Sequence, residues 1–215
     1  MGRGLFSSPI SHSGYAVTVL FSDEVEPVIR CERVDLHHLS AHRLVALDNG
    51  GTQDIVFAGC SYSNPHEVLS RGESPIRWRA PLVRDNPASN KWFIRWIVLR
   101  STAEVIGSTS FHGAPDVDGM LEIGLGLHES FQRQGFGYEA VVGMWSWASE
   151  QPGVARFRYT VSPDNAASVA LVQKCGFTQV GQQIDDIDGP EDIYEMSVEE
   201  FRARFMQEPR VKWSG

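Results

Sequence analysis

The sequence predicts one α/β domain with a mixed, mostly antiparallel twisted sheet of about seven strands and flanking helices. Three observations carry that expectation. Residues 92–127 read as three short apolar strands separated by two turn clusters, an antiparallel meander. Residues 135–149 form an amphipathic helix between that meander and a further strand at 155–161. Residues 177–198 then read as a hairpin.

In chain order, residues 1–13 are rich in Gly and Ser and read as loose, and 15–21 as an added strand or ordered arm. Residues 33–39, RVDLHHL, partly alternate and read as an edge strand. Ser40 is an N-cap, with Leu44, Val45 and Leu47 on one face of a helix that ends at Asn49-Gly50-Gly51. Residues 51–90 hold many Ser, Pro, Asn and Gly. A short helix at 66–71 is the element read there, and the stretch is a substrate loop or a long connection. Strands follow at 92–99, 105–111 and 120–127, with Trp92 and Trp96 on one strand face. The helix at 135–149 turns Ala140, Val141, Met144, Trp145 and Ala148 inward. After the strand at 155–161 comes a helix at 165–174 stopped by Gly176, then hairpin strands at 177–184 and 193–198.

With 42% hydrophobic and 21% charged residues, a chain of 215 residues can bury a real core. Asp plus Glu number 27 against 19 Lys plus Arg, a formal charge of -8, which argues against a non-specific nucleic-acid binder. Cys31, Cys60 and Cys175 are odd in number and far apart, so no disulfide framework is expected. His37, His38, His42, His66, His112 and His128 show no ligand spacing, so no metal is expected. No run of about 18 apolar residues suggests a membrane span. The first residues lack a signal-peptide order, and Phe6 stands where myristoylation needs Ser or Thr, so a cytoplasmic protein is expected. No G-x-S-x-G elbow supports a serine-triad enzyme.

Charge is uneven along the chain. Residues 71–100 carry seven basic side chains and two acidic ones: a solvated face or an anion contact. Residues 185–200 carry eight acids and no Lys or Arg: a solubilising rim, or an attraction for a cationic amine or basic peptide terminus.

The stretch LHESFQRQGFGYEA, 127–140, runs from a strand through Gln132-Arg133-Gln134-Gly135-Phe136-Gly137 into a helix that includes Tyr138. A helix start leaves backbone N–H groups unpaired, and the helix dipole favours an anion there. Gly135 and Gly137 either permit a tight turn or let a phosphate approach the backbone, and Arg133 adds a cation. The P-loop pattern and the three-glycine dinucleotide pattern are both absent.

Gln132, Gly135 and Gly137 fill the Q/R-x-x-G-x-G/A pattern, and this stretch resembles the acyl-CoA pyrophosphate loop of the Gcn5-related N-acetyltransferase (GNAT) superfamily. About 30 residues on, NAASVALVQKCGF resembles a helix of the subgroup that acetylates ribosomal-protein N-termini (RimJ/RimL-like). Asn165, Ser168, Leu171, Lys174, Gly176 and Phe177 fall on its pattern. The resemblance covers roughly residues 32–205. It implies an N-terminal extension at 1–31, an acyl-CoA N-acyltransferase domain at 32–205 and a tail at 206–215.

The resemblance further implies that the strands at 120–127 and 155–161 are a splayed parallel pair with acetyl-CoA entering between them. A backbone N–H near Leu127 would meet the thioester oxygen, and Gln132 to Tyr138 would hold the pyrophosphate. Glu122 would be the base for the amine, or merely a solvent-facing or cation-paired carboxylate. Ser168 would donate to the leaving sulfur, or allow close helix packing. Asn165 would be an N-cap, a cofactor contact or both. Val172 stands where many superfamily members carry an acidic tyrosine, and Leu125 where many carry an aromatic. Gly124 and Gly126 suit a bulge or a ligand beside the strand. Three functions remain open: a protein or peptide Nα-acetyltransferase, a small-amine acetyltransferase, or a non-catalytic acyl-CoA-binding module. Monomer and homodimer are equally open.

Overall fold

The structure, a computed structural model, describes residues 26–69, 74–187, 189–206 and 212–214. The strand read at 15–21 lies outside them. The strands are β1 (Val28–Arg30), β2 (Val34–His38), β3 (Arg95–Leu99), β4 (Glu104–Phe111), β5 (Met120–Leu127), β6 (Arg156–Val161), β7 (Thr178–Asp185), β8 (Gly189–Ser197) and β9 (Lys212–Ser214). The helices are α1 (Ala41–Asp48), α2 (Gln53–Val56), α3 (Ser74–Asp85), α4 (Phe136–Ser149), α5 (Ala166–Cys175) and α6 (Val198–Phe205), with a 3-10 helix over Pro87–Trp92. One mixed sheet runs β7-β8-β6-β5-β4-β3-β2-β1-β9. Every neighbouring pair is antiparallel except β5 and β6.

The expected architecture is present, with two more strands than the pattern counted. Both lie at one end, and they correct the reading of residues 33–39. β2 is internal rather than an edge, because β1 pairs with it and β9 pairs with β1. β1 falls in the stretch taken as an extension, and β9 in the stretch taken as a tail.

The poorly legible stretch 51–90 holds α3; of the helix read at 66–71, residues 66–69 are not helical and 70–71 lie outside the described residues. Ile76, Ala80 and Val83 recur at helical spacing and are fully buried, which outweighs the helix-breaking Pro81. Trp92 closes the 3-10 helix, and the strand begins only at Arg95. The two tryptophans therefore do not share a strand face: Trp92 packs on Trp147 and Phe111, and Trp96 on Phe57. The last stretch read as strand becomes α6 from Val198. Its start is fixed by a capping box in which the Ser197 hydroxyl accepts from Glu200 N and the Glu200 carboxylate accepts from Ser197 N.

α4 anchors the core. Trp145 is fully buried among Phe157, Tyr159, Phe177 and Phe201, with ring centroids 4.5–6.3 Å away. These rings come from β6, the end of α5 and α6, so one side chain ties three elements to α4. Gly143 lies against β1 and β2: a Cβ there would stand 2.6 Å from Cys31 Sγ. Replacing Trp145 with Ala should cost about 3–5 kcal/mol of unfolding free energy, read by urea titration.

Buried His38 predicts the acid response. Its Nδ1 accepts from Glu26 N at 3.1 Å, and its Nε2 lies 2.9 Å from the Asn90 carbonyl, so a neutral ring with Nε2–H satisfies both. Burial, aided by the Arg95 charge and opposed by the Asn90 carbonyl, lowers its pKa from 6.5 to about 4. Between those values the unfolded chain binds a proton that the folded one refuses. Stability should therefore fall as pH drops from about 6.5 to about 4, by up to about 3 kcal/mol. Chemical denaturation against pH checks this, and His38→Gln should flatten the slope.

Candidate functional site

The site begins with a strand pair that stops early. β5 and β6 pair only through Met120↔Arg156, Leu121↔Phe157 and Glu122↔Arg158. β5 runs on to Leu127, still paired with β4. His112 N donates to Glu122 O and His128 N to Ile106 O, so even-numbered residues of β5 bond toward β4. Antiparallel pairs alternate, so Ile123, Leu125 and Leu127 turn their backbone groups the other way, toward the gap. The expected splay is thus present, and the Leu127 amide faces it.

The two faces of this gap differ. Leu125 and Leu127 point to the α4 and α5 side: a Cβ on Gly137 would meet Leu125, Leu171 and Leu127 at 3.1, 3.2 and 3.5 Å. Glu122 points to the opposite face. Its Oε1 accepts from the Thr160 hydroxyl of β6 and lies 3.5 Å from His112 Nδ1. A Cβ on Gly124 would stand 3.2 Å from His112 Nε2, so the imidazole covers that glycine. Arg79 of α3 donates its Nε to the Phe111 carbonyl at 2.9 Å. Burial pulls its pKa down to about 10, while Glu122 acts in the opposite sense. The His112 pKa is also lowered: burial dominates, Glu122 opposes it and Arg79 adds to it.

The strand-to-helix loop is built from its own side chains. Gln132 Nε2 donates to Leu127 O at 3.0 Å, and Gln134 Nε2 to Ser130 O at 2.8 Å. Arg133 and Gly135 both adopt left-handed backbone, at φ 59° and 88°. That twist delivers the chain into α4 with Gly135 as N-cap. Phe136 and Gly137 are buried. Gly137 is glycine because leucines press on it, whereas Gly135 is required by its backbone. Tyr138 lies under the Lys174 ammonium, 4.4 Å from the ring centroid.

Arg33, absent from the sequence-derived site, braces this turn. Its backbone N and its Nε donate to the Glu139 carboxylate at 2.9 and 2.5 Å, and its guanidinium lies 4.5 Å from the Phe136 centroid. A Cβ on Gly135 would stand 3.0 Å from Arg33 Nη2. The pairing neutralises an acid that would otherwise oppose an anion at the helix start.

Asn165 caps α5, its Oδ1 accepting from Ser168 N at 3.1 Å. Ser168 is half-buried and shares a side-chain hydrogen bond with Tyr159 of β6. Burial raises the Tyr159 pKa and the Ser168 bond pulls it back. Tyr159 lies outside both sequence patterns, and only the packing of α5 on β6 reveals it. Among the hairpin acids, Glu195 pairs with Arg158 and Arg156, Asp192 accepts from Gln182, Glu191 accepts from Gln183, and Glu200 is spent in the cap. Among the described residues no cluster of three or more His, Cys, Asp or Glu suits a metal. No helix there is long and apolar enough to cross a membrane.

Comparison with known proteins bears on this geometry. Residues 59–178 match the family model described as an acetyltransferase (GNAT) domain. The chain is 35% identical to the uncharacterized N-acetyltransferase YoaA of Bacillus subtilis (strain 168) over 156 residues, 72% of this chain and 85% of that one. It is also 35% identical to the uncharacterized N-acetyltransferase YjdG of the same strain over 101 residues. That match is 46% of this chain and spans only 59% of the relative. A ribosomal-protein-S5-alanine acetyltransferase from Vibrio fischeri superposes with a TM-score of 0.57 over 82% of this chain and 99% of its own; at 14% identity that likeness is one of fold.

Gly137→Val should drive Leu125 and Leu171 apart and cost about 1–3 kcal/mol, measured by thermal unfolding. At the nearby, exposed Gln134, replacement with Ala should cost under about 0.5 kcal/mol.

Proposed function

The chain belongs to the acetyltransferase (GNAT) domain family, and from that membership we propose that it moves an acetyl group from acetyl-CoA to a primary amine by direct attack in a ternary complex. The acceptor we assign is the N-terminal α-amine of a protein or peptide. The observation that carries the reading is the early end of the β5–β6 pairing, which turns the Leu125 and Leu127 backbone into an open gap beside the start of α4.

Acetyl-CoA supplies the electrophilic thioester. Its pyrophosphate suits the left-handed turn and the first amides of α4, with Gln132, Arg133, Gln134, Gly135, Phe136, Gly137 and Tyr138 around it. The Leu127 N–H stabilises charge developing on the thioester oxygen. Glu122, on the opposite face, supplies the negative charge that draws a proton from the attacking amine. Ser168 gives a proton to the departing sulfur, its hydroxyl held by Tyr159, while Asn165 fixes the start of that helix.

The acceptor follows from proton affinity and charge. An α-amine has a pKa of about 7.7–8.0 against about 10.4 for an alkyl ammonium, so far less of it must be deprotonated near neutrality. In the acidic hairpin Glu195 is offset by Arg156 and Arg158, while the bonds from Gln182 and Gln183 leave the charges of Asp192 and Glu191 in place, so the rim suits a basic peptide terminus. The resemblance of the Asn165 helix to the ribosomal-protein subgroup points the same way.

CoA thiol release should be measured across peptides with free α-amines, polyamines, free amino acids and aminoglycosides, with mass detection of product. Peptides should be acetylated at the α-amine, and Ser168→Ala should lower kcat about 10²-fold or more with acetyl-CoA binding retained. Product confined to small amines would replace this acceptor. Cofactor binding with no product from any amine would favour a non-catalytic acyl-CoA-binding module.

A further inference from the structure

We propose that His112, rather than Glu122 itself, takes the proton from the attacking amine, with Glu122 and Thr160 acting as positioning residues behind it; this rests on the acetyl-transfer reading above. His112, the residue just past the end of β4, donates its backbone N to Glu122 O of β5 at 2.8 Å, which sets the two side by side. The ring extends along β5 with its two nitrogens at different stations. Nδ1 is at the Glu122 end, 3.5 Å from Oε1. Nε2 is at the Gly124 end, where a glycine leaves the space that a Cβ would restrict at 3.2 Å. Nε2 is thus displaced along the strand toward the Leu125–Leu127 segment that faces the gap.

The Glu122 oxygen nearest the ring is engaged elsewhere. This Oε1 already accepts from Thr160 across the gap and faces the imidazole. A carboxylate beside Nδ1 selects the tautomer with Nδ1–H, which leaves the Nε2 lone pair free. General-base catalysis favours a group that titrates near the working pH, and imidazole is the side chain suited to that. The charged groups acting on the ring are Glu122 of β5 and Arg79 of α3. Partial desolvation against the protein, the largest influence, lowers the ring's pKa and favours the neutral form that can accept, and Glu122 stabilises it once charged. The side chain is 47% exposed, so it can return the proton to solvent.

The step balances. The neutral amine's lone pair forms the C–N bond, and its N–H proton passes to His112 Nε2. The C–S bond breaks with its electron pair going to sulfur, which takes the Ser168 proton. The imidazolium then releases its proton to solvent, from which Ser168 recovers its own.

The test compares wild type, His112→Gln and Glu122→Gln, using the peptide acceptor that gives most product in the amine panel. The wild-type kcat/KM should rise with pH through an ionisation below 6.5, separate from that of the amine. His112→Gln should lose about 10²–10⁴-fold in kcat and lose that ionisation, while still binding acetyl-CoA. Glu122→Gln should keep the ionisation but move it to lower pH. Imidazole ¹⁵N spectra of the intact protein, independent of any acceptor, should show the Nδ1–H tautomer in wild type and its loss in Glu122→Gln. A His112→Gln enzyme within threefold of wild type and with an unchanged pH profile would overturn the proposal, as would an Nε2–H tautomer. Failure of the acetyl-transfer reading would look different: no acetylated product from wild type with any amine, whether or not acetyl-CoA binds and whatever the imidazole spectrum.

Discussion

Two parallel strands that pair for three residues and then part determine the rest of this molecule. Had β5 and β6 stayed in register to Leu127, the outward-turned amides of Leu125 and Leu127 would have bonded to β6. No unpaired length of β5 would then face β6 between the two halves of the sheet. Because they part, one side of the sheet is β1 to β5 with β9, and the other is β6 to β8. Polar backbone left facing a gap costs free energy unless water or a ligand bonds to it. The gap is therefore pre-disposed to accept an extended partner with donors and acceptors of its own.

Something must hold the halves at a fixed spread, and α4 does so. It leaves β5 through a left-handed turn, lies on β1, β2, β4 and β5, and sends Trp145 into the aromatic cluster of β6, α5 and α6. Gly137 and Gly143 allow that helix to sit close, the first against leucines of β5 and α5, the second against Cys31 and Ile29. The same helix start offers the anion-favouring amides. Stability and ligand geometry are therefore set by one element, which limits how far either can change alone.

Much of this was written locally in the sequence. β5 begins and ends where its apolar pattern does, and α5 is bracketed by Asn165 and Gly176 as its caps require. The loop motif and the Asn165 helix pattern found the family, and the splay followed from that resemblance. What was missed is non-local or masked by a strong punctuator. β2 read as an edge because its hairpin partner β1 is only three residues long and lies in the stretch taken as an extension, while β9 comes from the far end of the chain. α3 was hidden by Pro81 and its arginines, and Arg79 went with it. Tyr159 looked like an ordinary core residue of a strand, since nothing near it in sequence announces that α5 brings Ser168 to its hydroxyl.

The pairing of β1 with β9 has a kinetic consequence. Ile29 meets Trp213, partners 184 positions apart in sequence, and the contact is only three residues long. Closing so long a segment carries the largest loop entropy of any pairing in the sheet, for a very short ladder in return. The remainder of the sheet is assembled from much nearer neighbours, β3 to β5 and β6 to β8 by short connections. This edge is therefore the last part of the sheet to zip during folding and the first to fray in the native state. When β9 leaves, β1 becomes the rim strand, itself only three residues long, so little ladder is offered to another chain.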